Sequence, residues 1–154
     1  MKKALLLVLS LLSLSFASST KVSVTSDNFF ASEKEKKSTF SGHVVIKKLS
    51  DTIKTDKAII TFDKENKPVK YQAINHITFI ITLDASKLEG SCDELIFVPK
   101  SKVYTLKGHV NILQTPSNRK IKATKVIIDT KNNKIDITGE KNKPVKFIFE
   151  VEDK

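Results

Sequence analysis

The sequence predicts an all-β protein built from repeated antiparallel strand pairs. Beyond residue 20, apolar residues recur at a spacing of two in short runs separated by Lys, Asn, Asp, Gly and Pro. That is the period of half-buried strands, and no stretch sustains a helical period. Val, Ile, Thr and Lys recur through those runs, which suits a pleated surface with one packed face and one solvated cationic face. The pattern also repeats. Phe40–Ile46 (Phe-Ser-Gly-His-Val-Val-Ile) returns as Leu106–Ile112, Ile53–Ile60 returns as Ile121–Ile128, and Asn66–Tyr71 returns as Asn142–Phe147. Self-similarity of this kind marks stacked units rather than one irregular fold.

The first element is separate from the repeats. Met1-Lys2-Lys3 precedes an apolar run from Ala4 to Leu14, and Ser15-Phe16-Ala17 closes it with small residues. A basic start, a short apolar core and a small-residue cleavage site are the signature of an export signal, so residues 1–17 are expected to be a signal peptide and residues 18–154 one domain. The apolar run is about half the roughly 20 residues a bilayer-spanning helix needs. No Cys follows it to accept a lipid.

The repeats read as four units, Val24–Gly42, Ile53–Ala73, Leu88–Gly108 and Ile121–Gly139, each a pair of short strands joined by a Lys/Asn/Glu turn. A lone hairpin is marginal in water, so the units must stack to bury their apolar faces. Alternation assigns the inward face to Val22, Val24, Phe40, Val44, Ile46, Ile53, Ala58, Ile60 and Phe62 in the first half. In the second half it assigns Ile77, Phe79, Ile81, Leu83, Tyr104, Leu106, Val110, Ile112, Val126, Ile128, Ile135 and Ile137. Lys47, Lys54, Thr61, Thr78, Thr82, Lys107, Asn111 and Lys122 then fall on the outer face. Gly42 and Gly108 sit inside strand patterns at matched positions, which marks repeated corners.

Both ends of such a stack are open strand edges. Val22 and Val24 begin it, and Val145, Phe147, Phe149 and Val151 alternate with Lys146, Ile148 and Glu150 almost to the last residue. An apolar terminal strand invites another chain, and front-to-back pairing grows a filament. Val22, Val24, Val145, Phe147 and Phe149 are therefore the candidate oligomer edges.

Composition and motifs exclude more than they assign. The 154 residues carry a net charge of +10, and loss of Lys2 and Lys3 with the leader leaves 25 basic against 17 acidic side chains, a net of +8. One Cys cannot form an internal disulfide. The zincin, nucleophile-elbow, phosphate-loop and dinucleotide signatures are absent, so neither catalysis nor a cofactor is expected. His43 and His109, with His76 or Cys92, lack the spacing of a zinc site, and the two matched His-Val positions are explained by duplication at a bend. Asp27, Asp56, Asp63 and Asp93 read as turn and corner residues that bond local backbone N–H groups. Cys92 reads as a small residue packed in a strand. With nine Phe, two Tyr and no Trp the stacking aromatics of a single-strand nucleic-acid binder are thin, and no nucleic-acid partner is expected.

Taken in order, the leader, Val22–Phe29, Thr39–Ile46, Ile53–Ile60, Tyr104–Ile112, Ile121–Asp129 and Asn142–Phe147 resemble the LptA/OstA-type periplasmic proteins of lipopolysaccharide transport. The similarity covers nearly all of the chain after the leader. That family has Gly-Asn-Val where this chain has Gly-His-Val, and the middle repeat shows Ala73-Ile74-Asn75 where a Gly is expected. The resemblance implies an open, V-shaped β-jellyroll in the periplasm with an apolar groove for lipid A acyl chains. It also implies end-to-end stacking and handover from an inner-membrane LptC-type jellyroll to the N-terminal jellyroll of an outer-membrane LptD. An acyl chain of about a dozen carbons left in water costs roughly 10 kcal/mol at about 0.8 per CH₂, so such a crossing needs continuous apolar shelter.

Combined with the inward face, this assigns the groove to Val44, Ile46, Ile53, Ala58, Ile60, Phe62, Phe79, Ile81, Tyr104, Leu106, Val110, Ile112, Val126 and Ile128. Lys47, Lys54 or Lys107 are the candidate rim cations for lipid phosphates. The alternatives are a periplasmic β scaffold and a polyanion-binding module, neither with lipid cargo.

Overall fold

The computed structural model describes residues 20–153, and the expected leader lies outside them. Ten strands follow in order: β1 (Val22–Thr25), β2 (Asn28–Ser32), β3 (Lys37–Lys48), β4 (Asp51–Phe62), β5 (Pro68–Leu83), β6 (Ser86–Val98), β7 (Val103–Thr115), β8 (Arg119–Asp129), β9 (Lys134–Thr138) and β10 (Lys146–Ile148). All pairings are antiparallel. The path runs β1-β3-β4-β5-β6-β7-β8-β10, with β2 also on β3 and β9 also on β8. The expected all-β class and repeated hairpins are present.

The expected short strands are instead the halves of long bent ones. Strands β3 to β8 are 11 to 16 residues long, and, besides a local shift at Thr61/Phe62 by the β4–β5 turn, their pairings change register at Ser41/Val44 in β3, Lys54/Lys57 in β4, Ile74/Ile77 in β5, Ser91/Glu94 in β6 and Lys107/Val110 in β7. The irregularities align from strand to strand, so the sheet folds along one line into two layers joined at a spine. One layer holds β1, β10 and the half-strands Val44–Lys48, Asp51–Thr55, Ile77–Leu83, Ser86–Cys92, Val110–Thr115 and Arg119–Ala123. The other holds β2, β9 and the complementary halves.

The backbone of the spine explains the repeat. Gly42 and His43 have φ of 78° and 46°, and Gly108 and His109 have 74° and 44°. In the middle repeat Asn75 and His76 take the same conformation, 66° and 47°, so Asn75 fills the place of the missing glycine. Asn tolerates the left-handed region better than other side-chain-bearing residues because its amide bonds locally. At Gly42 a Cβ would lie 2.5 Å from the Asp27 carboxylate, so both φ and space demand glycine there.

The interior between the layers is formed by 22 buried apolar residues, among them Val44, Ala58, Ile81, Leu88, Leu95, Leu106, Val110, Val126 and Ile128. Of the residues assigned inward by alternation, Val22, Val24, Phe40, Ile135 and Ile137 are only half-buried because they lie in or against the terminal strands where a layer ends, and Phe62 because it is the last residue of β4. Of the eight residues expected on the outer face, Lys47, Lys54, Thr78, Thr82, Lys107, Asn111 and Lys122 are exposed, whereas Thr61, near the end of β4, is only half-exposed and its hydroxyl oxygen is buried.

The terminal strand departs from expectation. Only Lys146–Ile148 pairs, with Lys122, Ile121 and Lys120 of β8, while Val145, Phe149 and Val151 lie outside the ladder. Its partner offers only the half-strand Arg119–Ala123 before bending away, which limits the length of any pairing. Pro144, with no N–H to donate, precedes it.

Candidate functional site

Two features stand out, a charged ladder along the spine and an apolar cleft on the opposite, turn-bearing side. Along the spine, successive segments contribute Asp27, His43, Asp56, His76, Asp93 and His109, an alternation of carboxylate and imidazole across the bend. Nδ1 of His43 lies 2.7 Å from Asp27 Oδ2, and Nδ1 of His109 lies 2.7 Å from Asp93 Oδ2; His76 pairs with Asp56 in the same way. All six side chains are more than half exposed.

The hydrogen bond to Asp27, with its charge, raises the His43 imidazole above its ordinary value, and Asp56 does the same for His76. Three of the four carboxylates expected to cap backbone N–H groups thus face imidazoles instead. Asp63 alone of the four keeps the expected role, accepting from the N–H groups of Glu65 (2.9 Å) and Lys67 (2.8 Å) in the β4–β5 turn. The sequence held the signal for the third pair, a His at the Gly-His spacing, but Asn75 masked it.

The cleft lies between the two layers at the side away from the spine. Val22 of β1, Ile46 and Lys48 of β3, and Asp51 and Ile53 of β4 line one wall; Tyr71 and Ala73 of β5, Leu95 and Phe97 of β6, and Tyr104 of β7 line the other. It is narrow, with a free volume of about 20 Å³, room for little more than a water, and its surface is almost wholly apolar. The aromatic wall is continuous, with the Phe97 ring 4.4 Å from that of Tyr104 and 6.1 Å from that of Tyr71. Outward, the cleft widens into a vestibule of about 550 Å³ bordered by the β3–β4, β6–β7 and β8–β9 turns, with Leu49, Ser50, Pro99, Lys102 and Thr130 at its rim.

Two contacts tie the walls together. The buried Tyr104 hydroxyl donates to Asp51 Oδ2 at 2.7 Å, while the Thr82 N–H donates to Asp51 Oδ1 at 2.8 Å. Burial, with the Asp51 carboxylate beside it, pushes the Tyr104 phenol far above its usual range, so it stays protonated and donates. The second contact is Lys48, whose ammonium sits 4.8 Å from the centre of the Phe97 ring.

Of the fourteen residues assigned to the groove, Ile46, Ile53 and Tyr104 line the cleft, as does Val22 from the edge set. Val44, Ala58, Ile60, Phe79, Ile81, Leu106, Val110, Ile112, Val126 and Ile128 are buried in the filled remainder of the interior, and Phe62 is half-buried near the β2–β3 turn. The three lysines expected at the rim, Lys47, Lys54 and Lys107, point to the outer face, because each alternates with a buried neighbour. Lys48 and Lys102 stand at the rim instead.

Apolar side chains are also exposed at both ends of the sheet. Phe29 (61% exposed) and Phe30 (67%) lie on β2, and Phe147 (44%), Ile148 (45%), Phe149 (59%) and Val151 (72%) lie on and after β10. The edge residues Val22 and Val24 are half-buried on β1. Among the described residues no group of three or more His, Cys, Asp and Glu side chains converges as a metal site, and no helix is long and apolar enough to cross a membrane.

Comparison with known proteins accords with this architecture. The solved structure of LptH from Pseudomonas aeruginosa, described as the LptA homologous periplasmic component of the conserved lipopolysaccharide transport device, superposes with a TM-score of 0.74. The match covers 85% of this chain and 96% of that one at 11% identity, and establishes the shared fold. No curated protein matches by sequence. Residues 23–134 match the family model described as LptA/(LptD N-terminal domain) LPS transport protein, a span that runs from the second residue of β1 to the first residue of β9. That is a family of transport proteins, not of enzymes. The chain belongs to the LptA/LptD N-terminal domain family of lipopolysaccharide transport proteins.

Proposed function

We propose that this chain is a periplasmic carrier that shelters the acyl chains of lipopolysaccharide between its two layers and passes the lipid along a bridge of jellyrolls. The observation that carries this reading is the narrow cleft between β1-β3-β4 and β5-β6-β7, whose walls are apolar and which opens outward into the vestibule. Apolar contact is non-directional, so a chain can slide along such walls without meeting a bond that traps it. In this reading the bridge partners are an inner-membrane LptC-type jellyroll, further copies of this chain and the LptD N-terminal jellyroll. The exposed Phe29 and Phe30 at one end, and Phe147, Ile148 and Phe149 at the other, support end-to-end association, because large apolar side chains at unpaired edges favour a covering chain.

The closely filled remainder of the interior favours a second reading, a scaffold with no cargo. Native mass spectrometry of the chain purified after incubation with lipopolysaccharide separates the two. A carrier retains glycolipid in a defined ratio, whereas a scaffold leaves the bare protein mass alone.

A further inference from the structure

Away from the spine, a single hydrogen bond joins the two layers among the described residues: the Tyr104 hydroxyl donates to Asp51 Oδ2 at 2.7 Å. Tyr104 belongs to the layer of β2 and β9, and Asp51 to the layer of β1 and β10. Each partner is held on its own side, Asp51 by the Thr82 N–H at 2.8 Å and the Tyr104 ring by the Phe97 ring at 4.4 Å. Duplication does not account for the pair, because where the sequence returns, Arg119 stands in the place of Asp51 and Ser38 in the place of Tyr104. For packing alone, two apolar side chains would serve better, since a phenol and a carboxylate each lose water on entering an apolar lining.

The position of the bond decides what it can do. Asp51 lines both the narrow cleft and the wet vestibule of about 550 Å³. With the layers together its oxygens are taken by Tyr104 and Thr82; with the layers drawn apart, vestibule water can replace the phenol. A hydrogen bond is directional and is lost within about an ångström of separation, so the pair is either bonded or hydrated, with little between. The cleft in its bonded setting has a free volume of about 20 Å³, far too little for an acyl chain, so entry requires the other setting. At the far side of each layer the spine supplies the pivot, with Gly42, Asn75 and Gly108 in the left-handed region at successive bends.

We propose that the Tyr104–Asp51 bond is a latch, which keeps the layers closed while the protein is empty and is broken when an acyl chain enters from the vestibule and spreads them about the spine. The proposal rests on the carrier reading and adds the control of its site. A carrier left open between cargoes would expose its apolar walls to water and to other chains. One shut only by apolar packing would have no bond that water can take over on opening. A single polar bond at the boundary between dry cleft and wet vestibule gives a closed resting state with a low barrier to release.

The test follows uptake of a dansyl-labelled undecanoate by the full mature chain in stopped-flow fluorescence, with circular dichroism verifying that each variant is folded. Tyr104→Phe should take up the probe about tenfold faster than the parent, the factor equivalent to about 1.4 kcal/mol, near the lower end for a hydrogen bond to a charged group. Thr55→Val is the control for general loosening: it removes a buried hydroxyl that donates to the Ile74 or Asn75 carbonyl at the spine, at 2.8 and 2.9 Å, and leaves the latch in place. Its uptake rate should match the parent's. Nitroxide labels on Leu49→Cys and Lys100→Cys, in the β3–β4 and β6–β7 turns, read the mouth directly in the otherwise unaltered chain. Their separation should lengthen when the probe is added, and in Tyr104→Phe a longer separation should be populated without it. Equal uptake by Tyr104→Phe and the parent, or equal acceleration by Thr55→Val, overturns the latch and leaves the carrier reading intact. So does a label separation that stays unchanged with probe bound. If no form takes up the probe, the carrier reading fails and the latch falls with it.

Discussion

Replacing Tyr104 by Phe removes one oxygen and nothing else from the cleft. The ring stays stacked on Phe97, so no cavity opens, but Asp51 loses the hydrogen bond that joins the two walls at 2.7 Å. Tyr104 is 2% exposed and Asp51 9%, so water has little access to replace the donor. A hydrogen bond to a charged group contributes about 1.5–3 kcal/mol, and leaving the acceptor short of a partner in a buried place sets the cost toward ~2 kcal/mol. An unfolding entropy of about 2.1 cal/mol/K per residue over roughly 134 ordered residues makes each kcal/mol about 3.6 °C, so the melting temperature should fall by roughly 7 °C. Thermal unfolding followed by circular dichroism at neutral pH reads this directly. A fall of under about 2 °C would refute the reasoning, since it would mean that solvent already satisfies Asp51 and that the strut is not shielded.

Three further outcomes follow from other parts of the molecule. His43 and His76 have folded pKa values raised above the ordinary 6.5, so their pairs with Asp27 and Asp56 stabilise the fold when the imidazoles are protonated. That contribution is fully present below about pH 6.5 and is lost as pH rises through the raised folded value. His43→Asn with His76→Asn should therefore lower the melting temperature at pH 5.5 and change it little at pH 8.5; an equal loss at both would contradict the assignment. Burial, with Asp93 adding to it, pushes the Cys92 thiol up to about 12, so it should resist maleimide at pH 8 in the folded chain and react once unfolded. Labelling of the native chain within minutes would show that β6 opens locally. Truncation after Pro144 removes β10 and its exposed aromatics and should abolish concentration-dependent growth in light scattering, whereas large species persisting in the truncated chain would rule out association through that edge.

Much of the layer architecture was legible in the sequence because a period of two runs through most half-strands. Ile77, Phe79, Ile81 and Leu83 alternate with Thr78 and Thr82, and all four are buried. The corners were legible at Gly42 and Gly108, since a glycine inside a strand pattern needs a reason, but not at Asn75, whose amide substitutes for glycine without announcing a bend. The cleft itself was less legible. Leu95-Ile96-Phe97-Val98 is continuously apolar, so alternation could not say that Leu95 and Phe97 face inward, and no local pattern singled out Asp51. The rim cation was missed by one position: Lys48 shares the inward parity of Ile46, while Lys47 does not. The pairing of Tyr104 with Asp51 spans 53 residues and depends on how two layers meet, which no local pattern encodes.

The central claim is that lipid travels between the layers rather than over them, and neighbouring positions on β4 test it best. Ile53 faces the cleft and Lys54 faces solvent on the same half-strand. A photo-crosslinking amino acid placed at each position in turn, in chain incubated with lipopolysaccharide, should give a glycolipid adduct at 53 and none at 54. Equal adducts at the two positions, or an adduct at 54 alone, would contradict transport through the interior.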